Sequence, residues 1–237
     1  MNQDFKNKVK QSESFYNEEF LDFDYKLSQF NYETLSEYFN GDSCLELGPA
    51  LGQMTRFLVK DFKSVDVVDG SEFLLNQIPE YGNVRKYHSY FEEFTPPTKY
   101  DTIVMSHVLE HIEHPVEVLT ALRNWLSKDG LVIVSVPNAE SLHRKAAVHM
   151  GLLNNIYELN ERDHQLGHYR VYDLESLKNE VSEAGFSVMH YGGVFLKPLS
   201  NGQIEQNWND SMISAFYELG KDMPRDCAEI YVVLKSN

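Results

Sequence analysis

The sequence predicts one α/β domain, residues 1–237, built on a doubly wound and mostly parallel sheet of seven strands. Short apolar runs alternate along the chain with segments of helical periodicity, which is typical of parallel strands joined by crossover helices. A turn from Gly48 to Gly52 joins the first of these strands to a helix, and acidic or polar residues end several other strands. In such sheets ligands bind where the carboxyl ends of the strands meet, so we expect the functional site at that edge.

The composition narrows the classes of partner. The 36 acidic residues outnumber the 21 basic ones, which argues against nucleic acid or an anionic membrane surface. No apolar run approaches the ~18 residues of a membrane-spanning helix, and residues 1–10 lack the apolar core of a signal peptide. The two cysteines, Cys44 and Cys227, form no CxxC motif or disulfide framework. We therefore expect a cytoplasmic protein that acts on a small molecule.

The first predicted strand and helix enclose the strongest motif. Cys44–Leu47 reads as a buried strand and Gly52–Lys60 as a helix, with Gly48 and Gly52 forming the turn between them. A ligand can approach main-chain N–H groups at such a helix N-terminus, and Glu46 places a carboxylate beside it. The pattern is E-x-G-x-x-x-G and lacks the third glycine of the dinucleotide-binding G-x-G-x-x-G loop, which disfavours a nicotinamide-dependent oxidoreductase. An ordinary strand–turn–helix is the alternative interpretation.

The second predicted strand, Ser64–Asp69, ends in a carboxylate. Asp69 follows Gly48 by 21 positions, where an acidic residue can accept hydrogen bonds from the ribose hydroxyls of a nucleotide. A strand-terminal Asp is also often a helix N-cap, a role that Ser71 can fill here instead. Asp69, with the neighbouring Gly70 and Ser71, is therefore predicted to bind a nucleotide-type cofactor.

The segment from Ser106 to Pro115 supports two interpretations. His107, Glu110 and His111 match the H-x-x-E-H zinc motif, in which two imidazoles four residues apart bind the metal from one helix. That motif needs a long helix, whereas here a strand ends near Ser106 and Pro115 opens a new helix. We therefore predict no metal, and we expect His111 to be a capping or packing residue.

The remaining elements complete the alternating pattern. The helix that begins at Pro115 carries an apolar stripe (Val118, Leu119, Leu122, Leu126) and is predicted to end at Gly130. The other predicted strands are Asn83–His88, Tyr100–Ser106, Leu131–Pro137, Phe186–Tyr191 and Glu229–Lys235, and the other predicted helices are Asp173–Ala184 and Asn209–Leu219.

These motifs together resemble those of the class I S-adenosylmethionine (SAM)-dependent methyltransferases. The likeness rests on the E-x-G-x-x-x-G turn, on Asp69, and on the aromatic–Asp strand followed by H-x-L-E-H and a proline, and it spans residues 43–137 and 173–235. It implies that SAM is the cofactor and that the last strand is inserted antiparallel between the fifth and sixth. The cofactor-binding residues that it implies are Glu46, Gly48, Gly52, Asp69, Gly70, Ser71, Phe91, Ser106, His107 and Tyr16.

Two of these assignments need comment. Phe91 departs from the family pattern, and Tyr16 lies in a segment outside the sheet. Many class I methyltransferases place an Asp after the third strand to bind adenine, whereas this chain has Tyr90 or Phe91 there, which implies aromatic packing against the base. Residues 1–40 are predicted to form an N-terminal helical cap, which in the family also closes over the cofactor. Tyr16 and Tyr25 are its expected polar contacts, and simple packing on the domain edge is the alternative.

Two insertions, residues 138–172 and 198–227, are predicted to carry the acceptor side of the site. The first holds the candidate bases His168, His143 and His164, in order of preference, because histidine accepts a proton near neutral pH. Each could instead be a surface or capping histidine. The helix in the second insertion suits either a second wall of the site or the interface of a homodimer.

The basic residues of the first insertion suggest the class of acceptor. Arg144 and Arg170 lie in an otherwise acidic protein and indicate a small anionic acceptor, such as a phosphorylated or nucleotide-linked sugar that is O-methylated. The P-N-x-x-S-x-H-R and G-H-Y-R-V-Y stretches resemble methyltransferases of bacterial surface-polysaccharide pathways. A non-catalytic SAM-binding partner or regulatory subunit is the alternative function.

Overall fold

The computed structural model describes residues 22–237, and its centre is the predicted seven-stranded sheet. The strand order is β3-β2-β1-β4-β5-β7-β6, with β1 to β5 parallel and β7 antiparallel between β5 and β6, which confirms the predicted topology. The strands are β1 (Ser43–Leu47), β2 (Ser64–Asp69), β3 (Val84–His88), β4 (Tyr100–Ser106), β5 (Leu126–Pro137), β6 (Phe186–Val194) and β7 (Glu229–Ser236).

Helices cover both faces of the sheet because its central strands are apolar on both sides. In β1, Leu45 and Leu47 pack on one face and Cys44 on the other, as the two-residue period of a strand requires. Numbered along the described chain, the helices are α1 (Asp22–Leu35), α2 (Thr55–Asp61), α3 (Glu72–Gln77), α4 (Pro115–Trp125), α5 (Leu142–His149), α6 (Glu161–Leu166), α7 (Leu174–Glu183), α8 (Asn201–Asn207) and α9 (Asp210–Asp222). Helices α4 and α7 pack on the face of Leu45, whereas α1, α2, α8 and α9 pack on the face of Cys44.

The order of the strands fixes the position of the ligand-binding crevice. Strands β1, β2 and β3 extend the sheet in one direction, and β4 and β5 extend it in the other. The carboxyl ends of β1 and β4, which pair in parallel with Leu47 opposite Met105, therefore border the switch point of the sheet. Side chains and backbone N–H groups that follow these two strands face a common crevice.

Several predicted boundaries were wrong. Helix α4 ends at Trp125, and Leu126 to Gly130 belong to β5, with Leu126 paired to Tyr100. A Cβ at position 130 would lie 2.7 Å from the Tyr100 carbonyl oxygen, so Gly130 allows close strand contact and is not a helix stop. Helix α2 begins at Thr55, after a turn, and β6 continues to Val194 because it pairs with β7 along its full length.

The described part of the N-terminal cap, α1 with a 3₁₀ turn at Ser36–Tyr38, packs on the second insertion. The Phe30 ring stacks on Tyr217 of α9 with centroids 4.2 Å apart, and the Thr34 and Tyr217 hydroxyls are 2.9 Å apart. Ile213 and Tyr217 are therefore buried within the chain. Tyr16, the predicted cofactor contact, lies outside the described residues. None of the described helices is long and apolar enough to span a membrane.

Candidate active site

A cavity of about 260 Å³ opens at the carboxyl ends of β1 and β4. The β1–α2 turn and the residues after β4 form its floor, and α1, both insertions and the start of β7 form its walls. Its lining includes Asp24, Asn31, Glu46, Gly48, Ser106, His107, Glu110, His111, His143, Arg144, Arg162, Asp163, His168, Lys197 and Glu229. Several residues predicted from separate motifs are thus brought to one site.

The turn after β1 is held close to its neighbours. Gly48 has a φ of +64°, and a Cβ there would lie 2.7 Å from Cγ2 of Val108 and 3.8 Å from Cζ of Phe91. Gly52 has a φ of +75°, and its Cβ would lie 3.1 Å from Ile78. Both positions therefore need glycine for conformation and for space.

Glu46 is a buried carboxylic acid at the cavity floor, with 3% of its surface exposed. Its Oε2 accepts a hydrogen bond of 2.6 Å from the Thr55 hydroxyl at the start of α2. Burial raises the pKa of Glu46 to about 8, with the Asp69 charge acting in the same direction and the Thr55 hydrogen bond opposing it. At neutral pH the group is therefore largely protonated until a cation approaches it.

The predicted ribose-binding segment borders the sheet edge next to this cavity and does not line it. Oδ1 of Asp69 accepts a hydrogen bond of 2.8 Å from the Ser71 amide, and the Ser71 hydroxyl caps α3 by accepting one of 3.1 Å from Leu74. The Gly70 carbonyl oxygen lies 3.1 Å from Nε2 of His88. Ser71 is thus the helix cap, and the Asp69 carboxylate is fixed at the end of β2.

His107 follows β4 directly and has an uncommon φ of +56°. Its Nε2 lies 2.9 Å from Oε1 of Glu229, the first residue of β7, whose other oxygen accepts a hydrogen bond from Asn31 of α1. Burial acts to lower the pKa of His107, but the Glu229 carboxylate outweighs it and raises this pKa to about 9. The imidazole is therefore a cation in the cavity wall at neutral pH.

His168, the preferred candidate base, is buried and lines the cavity from the first insertion. Helix α6 ends at Leu166, and Gly167 turns the chain with a φ of +79°. Nδ1 of His168 lies 3.2 Å from Oδ1 of Asp163. Burial acts to raise the pKa of Asp163, yet hydrogen bonds from His168 and from the Asn160 amide hold it at about 2. The ionised Asp163 thus orients the His168 ring and leaves its Nε2 for another partner.

His143 and Lys197 face the cavity from α5 and from the chain after β6, and the His143 amide donates to the Lys197 carbonyl. Within the described chain, the buried Nδ1 of His143 has no hydrogen-bond partner. Burial and the charge of Lys197 lower the pKa of His143 to about 2, so its imidazole is neutral. Burial also lowers the pKa of Lys197 to about 8.

The other residues predicted on the acceptor side have different surroundings. Arg144 is buried, donates to the Ile156 carbonyl at 3.0 Å and to Asp163 at 3.2 Å, and also binds the Glu158 carbonyl. Arg170 lies outside the cavity, where it donates to the Glu113 carbonyl at 2.9 Å. His164 is exposed on α6 and does not line the cavity.

The cap and the two insertions meet over the cavity at Asp24 of α1. The Asp24 carboxylate accepts hydrogen bonds from Arg162 of α6 and from Asn201 of α8, the latter at 2.8 Å. Lys197 donates to the same Asn201 at 2.8 Å. Tyr25, predicted as a polar contact of the cap, does not line the cavity. Its ring packs against the Arg56 guanidinium, 3.7 Å from the ring centroid.

Sequence reasoning missed several cavity residues. Glu229 was readable as a lone carboxylate opening an otherwise apolar strand, a pattern that can indicate a buried functional acid. Asn160 and Asp163 form a capping box at the start of α6, a pattern that could have indicated this helix in the sequence. No sequence pattern marks Lys197 or Asn31, because tertiary packing alone brings them to the site.

The sheet order, the glycine turn and the acidic residues near the carboxyl ends of β1 and β2 define the Rossmann-like fold of SAM-dependent methyltransferases. Solved structures share this fold. A SAM-dependent methyltransferase from Leishmania major has a TM-score of 0.67 at 14% identity, covering 98% of this chain and 83% of its own. The N-methyltransferase NodS from Bradyrhizobium japonicum, solved with S-adenosylhomocysteine, has a TM-score of 0.61 at 12% identity and covers 99% of each chain.

Sequence comparison identifies the family. A profile of the methyltransferase domain matches residues 21–191, so the chain belongs to this family. The N-terminal Xaa-Pro-Lys N-methyltransferase 1-B of Xenopus laevis is 32% identical over 105 residues, which are 40% of this chain and 47% of that protein. The malonyl-[acyl-carrier protein] O-methyltransferase of Halalkalibacterium halodurans is 31% identical over 101 residues, 38% of this chain and 37% of that protein. The chain thus spans less than half the length of each relative.

Proposed function

We propose that the protein transfers the methyl group of SAM to a small polar acceptor bound in the described cavity. The observation that most directly supports this proposal is that one cavity is lined both by Glu46 and Gly48 at the cofactor turn and by His168 of the first insertion. The sulfonium methyl is already activated, so the main task of the protein is to hold nucleophile, methyl carbon and sulfur in line. The cap and insertions that meet at Asp24 support this task by enclosing the acceptor.

The charges of the cavity restrict the acceptor. Five carboxyl groups line it, and three of its cations are paired with them: Arg144 with Asp163, Arg162 with Asp24, and His107 with Glu229. Lys197 forms no ion pair with a carboxylate of residues 22–237. We therefore favour a hydroxyl acceptor with a single anionic group next to Lys197, and a phosphorylated or nucleotide-linked sugar stays our preferred class.

The identity of the methylated atom is inferred from the need for proton removal. The two sequence relatives are named for N- and O-methylation respectively, so they favour neither atom. A hydroxyl must lose its proton as the methyl group arrives, and the His168–Asp163 pair is placed to assist this step. In the simplest form of the proposal His168 is the general base. His143 is the second candidate, and it ranks lower because a pKa of about 2 makes it a weak proton acceptor.

A turnover assay tests this function. Release of S-adenosylhomocysteine would be followed with sugar phosphates, nucleotide-linked sugars and the matching neutral sugars. We expect turnover with at least one anionic sugar, and we expect Lys197→Met to raise KM for that acceptor with little change in kcat. SAM binding without turnover on any acceptor would favour the alternative, a non-catalytic SAM-binding subunit, and turnover on neutral sugars alone would remove Lys197 from the acceptor site.

A further inference from the structure

We propose that Glu110, His111 and His168 form a binding site for a divalent transition-metal ion, with Zn²⁺ as the representative ion. One ligand atom from each of the three side chains lies within 4.8 Å of the others, and all three residues line the cavity. The ring centroids of His111 and His168 are 4.6 Å apart. The three ligands come from two segments of the chain. Glu110 and His111 lie in the 3₁₀ turn Leu109–His111 after β4, and His168 follows the end of α6.

Glu110 supplies the strongest reason for a bound cation. Its side chain is 1% exposed, and neither carboxylate oxygen has a hydrogen-bond partner within the described chain. Nδ1 of His107 lies 3.7 Å from Oε1 of Glu110, which is beyond hydrogen-bond length. A buried carboxylate without hydrogen bonds is unfavourable by several kcal/mol unless a proton or a cation compensates it. A metal ion between Glu110 and the two imidazoles would provide that compensation.

His168 has the surroundings of a metal-binding imidazole. Metal-bound histidines usually donate their other ring N–H to a carboxylate, which fixes the tautomer and the ring orientation. Asp163 does this for Nδ1 of His168 at 3.2 Å, and Asp163 is in turn held by Arg144 and by the Asn160 amide. Nε2 of His168 is then the ligand atom, and Asp163 is a positioning residue.

The donor set selects the class of ion. Two imidazoles and one carboxylate suit Zn²⁺ and similar borderline ions, whereas Mg²⁺ and Ca²⁺ prefer oxygen ligands. Tetrahedral Zn²⁺ with bonds of about 2.0–2.2 Å holds its ligand atoms about 3.4 Å apart, so the ligand atoms, now within 4.8 Å of one another, would approach by up to about 1.4 Å. Three protein ligands leave a fourth position open toward the cavity, as in catalytic zinc sites.

The sequence alone predicted no metal. The structure brings His168, which is distant in the sequence, close to Glu110 and His111. His107, Glu110 and His111 do not lie on one helix, so the H-x-x-E-H arrangement is not formed. His107 instead contacts Glu229, and the third ligand, His168, comes from an element 57 residues after His111 in the sequence. No spacing rule connects these two segments.

The metal gives the methyl transfer a second route to an ionised acceptor, and in this respect the inference rests on the proposed function. An acceptor hydroxyl in the open position would release its proton to solvent, because coordination lowers the pKa of a bound hydroxyl. Its oxygen then forms the bond to the methyl carbon as the methyl–sulfur bond breaks, and that electron pair stays on the sulfur of S-adenosylhomocysteine. In this form of the mechanism His168 is a ligand and not a free base.

Zinc titration of the full-length, chelator-treated protein tests the site. We expect one Zn²⁺ per chain, with affinity reduced roughly 10–100-fold in Asp163→Asn and by a larger factor in Glu110→Gln, His111→Ala and His168→Ala. His164→Ala removes an exposed histidine near the site and is the matched control, with affinity unchanged. Absence of stoichiometric Zn²⁺ in the wild type, or equal affinity in the ligand variants, would overturn the inference.

SAM affinity and turnover, measured on the same samples, separate this inference from the proposed function. If turnover is lost on chelation and restored by Zn²⁺ while SAM affinity is constant, both stand. If SAM binds and turnover survives complete metal removal, the metal has no catalytic role and the metal-assisted route is wrong. If Zn²⁺ binds but no SAM does, the metal site stands and the proposed function fails.

Discussion

Nε2 of His107 lies 2.9 Å from Oε1 of Glu229, which joins the end of β4 to the start of β7 at the wall of the cavity. The two residues are far apart in the sequence, and the antiparallel insertion of β7 beside β5 brings them together. The backbone of His107 is held in the left-handed region, and its amide donates to the Ser135 carbonyl at 2.9 Å. The contact therefore fixes both the charge and the position of His107.

Glu229→Gln should lower the pKa of His107 from about 9, because burial would no longer be opposed by the carboxylate. NMR titration of the imidazole would measure the change, and His149, which is exposed at the end of α5 and does not line the cavity, serves as the internal reference. Since the folded-state pKa is raised, the stability due to this contact is present below pH 6.5 and is lost as pH rises through 9. An unchanged titration of His107 in the variant would show that Glu229 does not set its charge.

SAM binding should release a proton from Glu46 at pH 7. The pKa of Glu46 is about 8 in the ligand-free protein, and the cationic sulfonium and ammonium groups of SAM favour the ionised carboxylate. Affinity should then improve with pH by up to about tenfold per unit below pH 8. Calorimetry in two buffers of different ionisation enthalpy measures the release, and Glu46→Gln, which keeps the side-chain size, should abolish it. The same release in Glu46→Gln would assign the proton to another group.

The raised pKa of Glu46 also affects the stability of the ligand-free protein. Because the folded state binds the proton more tightly, the contribution of this group is greatest below pH 4.5 and is lost as pH rises through about 8. Glu46→Gln should therefore flatten the decline of melting temperature between these values.

Gly48→Ala should destabilise the fold by about 1–3 kcal/mol and weaken SAM binding. A left-handed conformation is unfavourable for alanine, and the new Cβ would meet Val108 at 2.7 Å. Gly202→Ala is the matched control, because no atom lies within 4 Å of its added Cβ and alanine favours helix α8. Denaturant unfolding measures both variants, and equal stability of the two would contradict the close packing of the β1–α2 turn.

The sequence predicted the sheet well and the cavity only in part. Strands β1, β2 and β4 were predicted because each is an apolar run with a polar end. The antiparallel last strand between the fifth and sixth, which the family resemblance implied, is confirmed by the structure. The end of α4 was missed because Leu126 fits both a helical stripe and a strand, and pairing with Tyr100 decides for the strand.

The acceptor side was less predictable because charge pairing there depends on tertiary contacts. Histidine content identified the first insertion, and His168 does line the cavity. Arg144 and Arg170 were predicted to bind the acceptor because of their charge. The sequence does not show whether a carboxylate lies beside either of them. Asp163 meets Arg144, and Asp24 meets Arg162, across elements that are distant in the chain.

The substitutions Arg144→Ala and Arg170→Ala should therefore lower the stability of the fold by different amounts. Removal of Arg144 takes the arginine from the buried Asp163 and the donor from the Ile156 and Glu158 carbonyls. It should lower stability by roughly 3–5 kcal/mol. Arg170 is partly exposed, and its loss should lower stability by about 0–1 kcal/mol. Denaturant unfolding compares the two, and a stable Arg144→Ala protein with a raised acceptor KM would instead assign Arg144 to acceptor binding.

Cofactor calorimetry tests the central claim, that this fold binds SAM at the carboxyl ends of β1 and β2. SAM and S-adenosylhomocysteine should bind with one site per chain, and NAD⁺ should not bind. Asp69→Asn should weaken SAM binding by about 1–3 kcal/mol, because it removes the charge that meets the ribose hydroxyls but retains an acceptor for the Ser71 amide. Folded wild-type protein that binds NAD⁺ and neither SAM nor S-adenosylhomocysteine would contradict the account.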